Sequence, residues 1–421
     1  MRKMRDSGIE WVGAIPRDWQ FSKIGSLYTQ RNEKVSDKDY QPLSVTMQGI
    51  LPQLATAAKT DDGDNRKLVR VGDFAINSRS DRRGSCGISP LDGSVSLINI
   101  ILTPRTAMHP GYYNWLFHTT LFADEFYKWG HGIVADLWTT RWQEMKSITV
   151  PVPEYAEQER IAAFLDAECA EIDAVLEKTR ASIEEYKKLK QAVITQAVTK
   201  GIRGDRPMKD SGIEWIGDIP AEWTASKIKY CTEFAPSCNT SHLSEDSLVT
   251  FTPMECIKNG HFENREAHFS ALSSSYTQYQ DGDIVFAKVT PCFENGNIAI
   301  MQGLSAGVGF GSSELFVIRP QSINTEFIFY YLQNDIFKQY ACATMTGTGG
   351  LKRVSPAFVR NYSVFIPCNE EQLEIVRYLN EKCSGIEVLI AKKQQYLTEI
   401  ENYKKSLIYE YVTGKKEVHP L

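Results

Sequence analysis

Several features that mark common protein classes are missing from this 421-residue chain. Its nine cysteines are never spaced as Cys-x-x-Cys, and its seven histidines form no His-Glu-x-x-His pair. These absences argue against a disulfide framework and a structural zinc site. No apolar run approaches the roughly 18 to 20 residues that a membrane span needs. The first residues also lack the apolar segment of a signal peptide, so we expect a cytoplasmic protein with no membrane contact.

Motifs for catalysis are equally scarce. The segment TGTGGLKR (346–353) resembles a phosphate-binding loop, but no Ser or Thr follows its lysine and its glycines are wrongly spaced. A Gly-x-Ser-x-Gly nucleophile elbow does not occur. A DNA methyltransferase would carry a glycine-rich cofactor loop and an Asn/Asp-Pro-Pro-aromatic motif, and neither is found. We therefore expect a non-catalytic chain, with any reaction belonging to a partner.

The net charge is small and unevenly distributed along the chain. It is −5 at pH 7, which is the wrong sign for binding nucleic acid through the overall field of the protein. Residues 1–153 carry 19 Lys and Arg against 16 Asp and Glu, whereas residues 208–367 carry 11 against 16. Any contact of the second segment with DNA must therefore come from a local basic patch.

What the chain does contain is an internal duplication. Its first block, MRDSGIEWVGAIPRDW (4–19), returns as MKDSGIEWIGDIPAEW (208–223). Its second block, PEYAEQERIAAFLD (153–166), returns as PCNEEQLEIVRYLN (367–380). Only islands agree between the blocks, such as a Gly-Asp pair in each copy. A constant frame around a divergent middle is typical of paired binding modules with two specificities.

A long amphipathic helix is predicted after each second block. Residues 157–199 contain no Pro or Gly, and apolar residues recur at alternating steps of four and three from Leu165 and again from Leu379. The simplest packing pairs the two apolar stripes in an antiparallel coiled coil, with Lys190 and Lys404 at matching seam positions. The alternative is that each helix packs on its own globular part.

The predicted architecture is α+β, with two pseudo-repeated domains separated by the two long antiparallel coiled-coil helices. Its segments are a first domain over 1–153, a central helix over 154–200, a linker over 201–207, a second domain over 208–367 and a C-terminal helix over 368–413. In the first domain we predict one helix over residues 112–129. The repeated tryptophans are predicted to anchor a core or an interface rather than to stack on bases; they are Trp11, Trp19, Trp215 and Trp223.

Two corresponding loops combine basic and hydroxyl side chains at the end of a predicted strand. The first, NSRSDRRGSCG (77–87), contains Arg79, Arg82 and Arg83. The second, AKVTPCFENGN (287–297), contains Lys288, Thr290 and Asn295. Arginine forks bind phosphates or pair bidentately with guanine, so we predict that these loops contact DNA. The alternative is a solvated hairpin tip.

A second pair of segments is rich in glycine, which lets backbone N–H groups approach a phosphate closely. In GHGIVADLWTTRW (130–142) the candidate contact residues are His131 and Arg141. In GTGGLKRVSPAF (347–358) they are Thr348, Lys352 and Arg353. The alternative is a structural turn that enters a helix and binds no ligand.

Together these features resemble the specificity subunits of type I restriction-modification systems, over nearly the whole chain. The resemblance rests on the SGIEW-x-G-x-IP-x-x-W openings, the Gly-Asp strands, the Gly-x-Gly turns, and the VPVP-x-x-x-EQ-x-x-I and IP-x-x-x-EQ-x-x-I starts of the long helices. The duplicated order of domain, helix, domain, helix is the most specific of these features.

The resemblance implies a non-catalytic subunit with two target-recognition domains, each binding one half of a bipartite, interrupted sequence in double-stranded DNA. The helices would act as a spacer for the gap. Implied partners are two modification (methyltransferase) subunits that use S-adenosylmethionine, and restriction (motor-nuclease) subunits that use ATP and Mg²⁺. The chain itself would hold no cofactor and no metal.

Two other functional classes remain open at this stage. One is a standalone nuclease or methyltransferase of related architecture, which the missing motifs disfavour. The other is a tandem scaffold that binds proteins rather than DNA, which the acidic second domain favours.

Overall fold

The structure is a computed structural model that describes residues 2–53, 63–132, 138–214, 216–272, 275–347 and 350–418. It consists of two compact units. The first unit comprises residues 1–180 and 395–421, and the second comprises residues 181–394. Each unit therefore contains one globular domain together with a segment of each long helix.

The first unit contains a domain of short strands and helices followed by the start of a long helix. The strands are β1 Met4–Asp6, β2 Ala14–Pro16, β3 Gln20–Lys23, β4 Tyr28–Arg31, β5 Lys34–Val35, β6 Leu43–Thr46, β7 Gly49–Pro52, β8 Arg66–Val69, β9 Phe74–Asn77, β10 Cys86–Ile88, β11 Gly93–Val95, β12 Asn99–Pro104 and β13 Thr149–Val152. The helices are α1 Ile24–Leu27, α2 Pro110–Phe117, α3 Thr120–Lys128, α4 Trp142–Met145 and α5 Tyr155–Lys200.

The centre of the first domain is an antiparallel sheet in the order β10-β9-β12-β4. Strand β9 is buried along its whole length because both of its faces are covered. Phe74 and Ile76 point into the large aromatic core that includes residues of α2 and α3. Ala75, on the other face, joins a smaller core with residues of β6, β7, β8 and β11. This alternation follows from the two-residue period of a strand.

The second unit repeats this plan from residue 208 onward. Its strands are β14 Met208–Asp210, β15 Asp218–Pro220, β16 Thr224–Lys227, β17 Thr232–Phe234, β18 Leu248–Thr252, β19 Ile257–Lys258, β20 His261–Phe262, β21 Arg265–His268, β22 Thr277–Gln280, β23 Ile284–Ala287, β24 Ile298–Ile300, β25 Val308–Gly311, β26 Leu315–Pro320 and β27 Ser363–Ile366. Its helices are α6 Ile228–Cys231, α7 Thr325–Gln333, α8 Asp335–Ala343, α9 Pro356–Asn361 and α10 Asn369–Val412.

The two domains share their central sheet and differ in the strands around it. The order β24-β23-β26-β17 in the second domain matches β10-β9-β12-β4 in the first. Beside it the second domain adds the sheet β21-β18-β25-β22, in which β18 and β25 run parallel. At this place the first domain has the sheet β11-β8-β5 and the hairpin β6-β7.

The prediction of one helix over residues 112–129 is wrong, because the chain there forms α2 and α3. Thr119 takes the N-cap position of α3, and its Oγ1 accepts a hydrogen bond from Phe122 N at 3.2 Å. This bond satisfies one of the amides that the start of a helix leaves unpaired. Asn334 makes the same break between α7 and α8, where its Oδ1 accepts from Phe337 N at 2.8 Å.

Within the first unit, α5 and α10 run antiparallel and in contact. The rings of Phe164 and Tyr411 lie 4.4 Å apart, and Lys404 Nζ lies 2.6 Å from Asp173 Oδ1. Residues further along α5 contact residues earlier in α10, so the two helices run antiparallel. The same helix segments also contribute to the core of the first domain, so pairing of the helices and packing on the domain occur together.

The second unit contains the matching helix pair. Lys190 Nζ lies 2.5 Å from Glu387 Oε1, and Lys393 Nζ lies 5.8 Å from the ring centre of Tyr186. The predicted antiparallel pairing of the two long helices is therefore confirmed in each unit. Lys190 and Lys404, which the heptad pattern placed at matching seam positions, make equivalent ion pairs across the two helices.

The described residues contain no helix that could span a lipid bilayer. Within the same ranges, His, Cys, Asp and Glu side chains do not gather in threes that could ligate a metal ion.

Candidate nucleic-acid interface

The two loops of the first domain that the sequence predicts to contact DNA lie side by side. Arg79 forms an antiparallel bridge with Thr139, next to a hydrogen bond of 3.0 Å from Thr140 N to Ser78 O. Thr139 also bridges His131, with N–H···O bonds of 3.0 Å in both directions. Backbone pairing thus joins three segments of the first domain. They are the segment after β9, the segment after α3 and the segment that precedes α4.

The second domain joins its candidate loops in the same way. Arg353 bridges both Val289 and Thr346, and Thr346 and Arg353 exchange N–H···O bonds of 3.1 and 2.9 Å. Thr290 N donates to Lys352 O at 3.0 Å. We call these two arrangements the loop bridges: Arg79, Thr139 and His131 in the first domain, and Val289, Arg353 and Thr346 in the second.

The loop bridges allow the two domains to be compared residue by residue. Ser78 N donates to Ile98 O at 3.3 Å, and Lys288 N donates to Glu314 O at 3.0 Å. Ile98 and Glu314 therefore occupy equivalent backbone positions. An apolar side chain thus stands in the first domain where the second carries a carboxylate.

An open groove of about 350 Å³ lies beside the loop bridge of the first domain. Its lining includes three cationic side chains: Lys67, Arg79 and Arg141. Lys67 on β8 is half-buried, its Nζ donates to Asn99 O at 2.7 Å, and burial lowers its pKa. Lys67 was missed in the sequence because only the folded sheet brings β8 beside the two loops.

The other predicted contacts of the first domain differ in how they are paired. Arg82 is exposed, with 69% of its side chain accessible to solvent, and its Nε lies 3.8 Å from Asp81 Oδ2. Arg83 is also exposed and forms an ion pair with Asp124. His131 is exposed, and its Nε2 lies 3.8 Å from Glu144 Oε1. The loop therefore presents Arg82 and Arg83 to solvent, each beside a carboxylate of the same domain.

In the second domain, two of the predicted cations are engaged internally. Arg353 donates to both carboxylate oxygens of Glu314, at 2.8 and 3.0 Å. This pair lowers the pKa of Glu314, with the hydrogen bond from Arg353 as the main cause. Lys288 is half-buried, its Nζ lies 5.4 Å from the ring centre of Phe316, and burial lowers its pKa.

Thr290 connects the two loops of the second domain from a buried position. Its Oγ1 donates to Gly350 O at 2.8 Å and accepts from Lys352 N at 3.0 Å. Its hydroxyl therefore holds the loops together. The side chains of Lys352 and Asn295 are exposed, and Thr348 lies outside the described residues.

The repeated sequence blocks form a bonded cluster at the start of each long helix. In the first unit, Glu157 accepts from Trp19 Nε1 at 2.9 Å and from the guanidinium of Arg2 at 3.0 Å. Just beyond the end of α10, Lys415 Nζ donates to Val12 O at 2.8 Å. We call Arg2, Trp19 and Glu157 the first joint, because the block here binds the beginning of one long helix and the end of the other.

The second unit contains the equivalent second joint of Arg206, Trp223 and Glu371. Glu371 is almost fully buried and accepts from Trp223 Nε1 at 3.1 Å and from Arg206 at 2.5 Å. At the end of α5, Lys200 Nζ donates to Ile216 O at 2.7 Å. The repeated blocks therefore have a structural role in both units.

The burial of the tryptophans agrees with this role. Trp11, Trp19 and Trp223 are all buried, which confirms that they anchor the core. Trp215 lies outside the described residues.

The glutamine that follows each joint glutamate also binds the domain. Gln158 Nε2 donates to Pro153 O at 2.8 Å, and its Oε1 accepts from His109 N at 2.9 Å, just ahead of α2. Gln372 makes the matching pair of bonds in the second unit. The repeated Glu-Gln pair therefore fixes the start of each long helix to its domain.

The repeated Gly-Asp pairs are likewise structural. Asp73 is buried and accepts from Arg31 at 2.7 and 3.2 Å. Asp283 is buried and accepts from Arg319 at 2.8 and 2.9 Å. The arginine comes from β4 in one domain and from β26 in the other, so a buried carboxylate keeps a cationic partner although the partner's strand differs.

Comparisons with known proteins find one kind of relative. Residues 239–399 match the family model of the type I restriction modification DNA specificity domain. The EcoEI specificity subunit of Escherichia coli is 32% identical over 189 residues, covering 43% of this chain. The EcoAI specificity subunit of the same species is 31% identical over 196 residues, covering 45%. In sequence the chain is thus similar to type I restriction-modification specificity subunits. Each of these alignments spans 32% of the relative's own length.

A likeness in fold to a solved structure extends over almost the whole chain. A solved structure from work on complex assembly and conformational transition of the type I R-M system superposes with a TM-score of 0.72 at 14% identity. The match covers 96% of this chain and 99% of that one. At such low identity the likeness concerns the fold, and it confirms the α+β architecture with two long helices.

Proposed function

We propose that this protein is the DNA-specificity subunit of a type I restriction-modification complex in the cytoplasm. Each domain reads one half of a bipartite, interrupted sequence in double-stranded DNA. The observation that carries the proposal is the repeated loop bridge, which presents different side chains at equivalent backbone positions in the two domains. Two readers of two different half-sites need this combination, since base edges are distinguished by the side chains that meet them.

In this proposal the chain supplies recognition and its partners supply chemistry. Two modification subunits would transfer methyl groups from S-adenosylmethionine, and restriction subunits would translocate and cleave DNA with ATP and Mg²⁺. The two joints support a pair of identical partners, because a duplicated structural element offers the same surface twice. The chain itself is proposed to hold no cofactor.

The test is a methylation map of host DNA. One host expresses this chain with a modification subunit, and the control host expresses the modification subunit alone. We expect adenine methylation at one interrupted, two-part sequence only when this chain is present. Identical maps in the two hosts, with a folded and competent modification subunit, would contradict the proposal.

A tandem protein-binding scaffold is the second candidate function. The ion pair between Arg353 and Glu314 favours it, because this pair removes an exposed cation from the acidic second domain. Salt titration of DNA binding distinguishes the two, since phosphate contacts release counterions and make affinity fall steeply with salt. The scaffold predicts no DNA affinity at any salt concentration.

A further inference from the structure

We infer that the two domains hold DNA by different chemistry. The first anchors a backbone phosphate in a cationic groove, and the second contacts its half-site mainly through hydrogen-bonding groups. The inference rests on the proposed function and deepens it by assigning a ligand group and the residues that bind it. We call the site the phosphate groove and define it by Lys67, Arg79 and Arg141.

The phosphate groove combines cations from three separate parts of the first domain. Lys67 lies on β8, Arg79 follows β9, and Arg141 precedes α4. Their side chains line one open groove of about 350 Å³, and the described residues that line it include no Asp or Glu. A site with three cations and no carboxylate suits an anion, and a phosphodiester is the anion that duplex DNA presents everywhere along its surface.

The groove holds one cation, and the backbone of a second, before any ligand arrives. An ammonium group has three N–H donors, and Lys67 uses one of them to bind Asn99 O at 2.7 Å. The backbone of Arg79 is held by the loop bridge, and its N donates to Asn77 Oδ1 at 3.0 Å. Because Lys67 Nζ is already held, its binding to a phosphate orders few additional torsions.

The equivalent surface of the second domain lacks this arrangement. Glu314 stands at the position of Ile98 and binds Arg353 through both carboxylate oxygens. Lys288 is half-buried against an aromatic ring, and Arg353 is exposed but held in its ion pair. The side chain of Lys352 is exposed. The exposed amide of Asn295 adds hydrogen-bonding capacity without charge.

Guanine is the alternative ligand for the groove, since its O6 and N7 also accept hydrogen bonds from Arg and Lys. The two ligands predict different results. Losing a phosphate contact lowers affinity and the salt dependence without changing the recognised sequence. Losing a guanine contact relaxes the sequence at one position.

The experiment uses the full chain assembled with its modification subunit and a duplex that carries the mapped target. Affinity is measured by fluorescence anisotropy at several salt concentrations for wild type and for the variant K67Q/R79Q/R141Q. We expect the slope of log affinity against log salt to become shallower by about 0.9, the value for one neutralised phosphate. The methylated sequence should stay the same.

Four further variants test the assignment. K67R/R79K/R141K keeps the charges and should retain most of the salt slope, which separates loss of charge from loss of folding. Lys38→Gln removes an exposed lysine outside the groove, with 79% of its side chain accessible, and should leave the slope unchanged. In the second domain, Lys352→Gln should lower the slope by about 0.9, whereas Arg353→Gln should leave it nearly unchanged.

Two results would overturn the inference. An unchanged slope in K67Q/R79Q/R141Q would show that the groove binds no phosphate, and a relaxed first half of the methylated sequence would assign the groove to a base. Failure of the proposed function is separate, because then the wild-type chain would direct no bipartite methylation.

Discussion

The two domains agree in their central sheet, joints and loop bridges, and they differ in the strands beside that sheet and in the side chains of the loop surfaces. Both contain the same four-strand order, the same joint between a repeated block and a long helix, and the same loop bridge. The surfaces beside the loop bridges differ in charge. Duplication has therefore preserved the interactions that hold the frame, while the neighbouring strands and the groups that would meet a ligand have diverged.

A single equivalent position accounts for much of that difference. Ile98 in the first domain is apolar, so it leaves the neighbouring cations without a carboxylate partner at this point. Glu314 in the second domain binds Arg353. The carboxylate at this position of the second domain thus decides whether Arg353 is available to DNA.

The largest effect is expected at the joints. Glu371→Gln removes the buried carboxylate that binds Arg206, and loss of one partner of a buried pair costs roughly 3 to 5 kcal/mol of the free energy of unfolding. The lower end of this range is expected, because Glu222 Oε1 also lies 3.5 Å from the Arg206 guanidinium. Glu157 is more exposed, with 14% of its side chain accessible against 1% for Glu371, so Glu157→Gln should cost less, about 2 kcal/mol. Hydrogen exchange in denaturant, read on peptides of each unit, measures both losses.

Equal losses in the two units would contradict the difference in burial at the joints. Because the chain contains two units, we do not assume that it unfolds in a single global transition. Glu370→Gln serves as the control, since its carboxylate is exposed in the first turn of α10 and is expected to change stability by no more than about 0.5 kcal/mol.

The next effect comes from exchanging the residues that distinguish the two loop surfaces. Glu314→Ile should release Arg353 and steepen the salt dependence of DNA binding by about 0.9, because one more cation can meet a phosphate. Ile98→Glu should make it shallower by about the same amount, since the new carboxylate would compete with DNA for a cation of the phosphate groove. Salt titration on the target duplex measures both. Changes of the same sign would contradict the comparison.

A smaller effect is expected at the ion pairs between the long helices. Lys190→Met and Lys404→Met should each reduce the free energy of unfolding by about 0.2 to 1 kcal/mol, because their carboxylate partners remain exposed to solvent. The charge-swapped variant K190E/E387K should regain most of what K190E alone loses. Denaturant unfolding of these four variants measures the change in the free energy of unfolding. A double variant as unstable as K190E would argue against the ion pair.

The smallest effect is a difference in acid sensitivity. His118 precedes the N-cap Thr119 of α3, and Gln333 precedes the equivalent N-cap Asn334 of α8. Burial holds the pKa of His118 below its ordinary value, so the folded state binds a proton less readily than the unfolded state. The stabilising effect of the neutral His118 side chain is therefore complete above the pKa of this histidine in the unfolded state, about 6.5. It is lost as the pH falls below that value.

His118→Gln should consequently flatten the stability of the first unit between about pH 7 and pH 5. Hydrogen exchange of peptides from α2 and α3 at the two pH values measures this. Gln333→His is the reciprocal variant and should introduce acid sensitivity into the second unit. An unchanged pH profile in His118→Gln would assign the acid sensitivity to other groups.

Local patterns in the sequence were sufficient to predict the long helices and the buried tryptophans. The apolar stripe from Leu165 and the lack of Pro and Gly over residues 157–199 depend only on residues near in sequence, so they can be recognised without knowledge of the fold. The break at Thr119 also had a local signal, a Thr placed just before a run of helix-forming residues, and it was missed because the flanking apolar run is continuous.

The charge on the loop surfaces could not be predicted in the same way. Glu314 and Arg353 are 39 residues apart, and only the sheet and the loop bridge bring them together. Lys67 reaches the groove because β8 lies next to the central sheet, which no local pattern reports. The sequence alone treated Arg353 as an available cation, whereas the structure pairs it with a carboxylate.

The central claim is that the loop surfaces, and not the repeated blocks, contact DNA. Hydrogen exchange of the full chain with its modification subunit, with and without the target duplex, tests it most directly. We predict that DNA slows exchange in residues 78–83 and 138–141 of the first domain and in residues 288–296 and 350–353 of the second. The two joints should be unaffected. Slowing confined to the joints or the long helices, with unchanged loops, would contradict the claim.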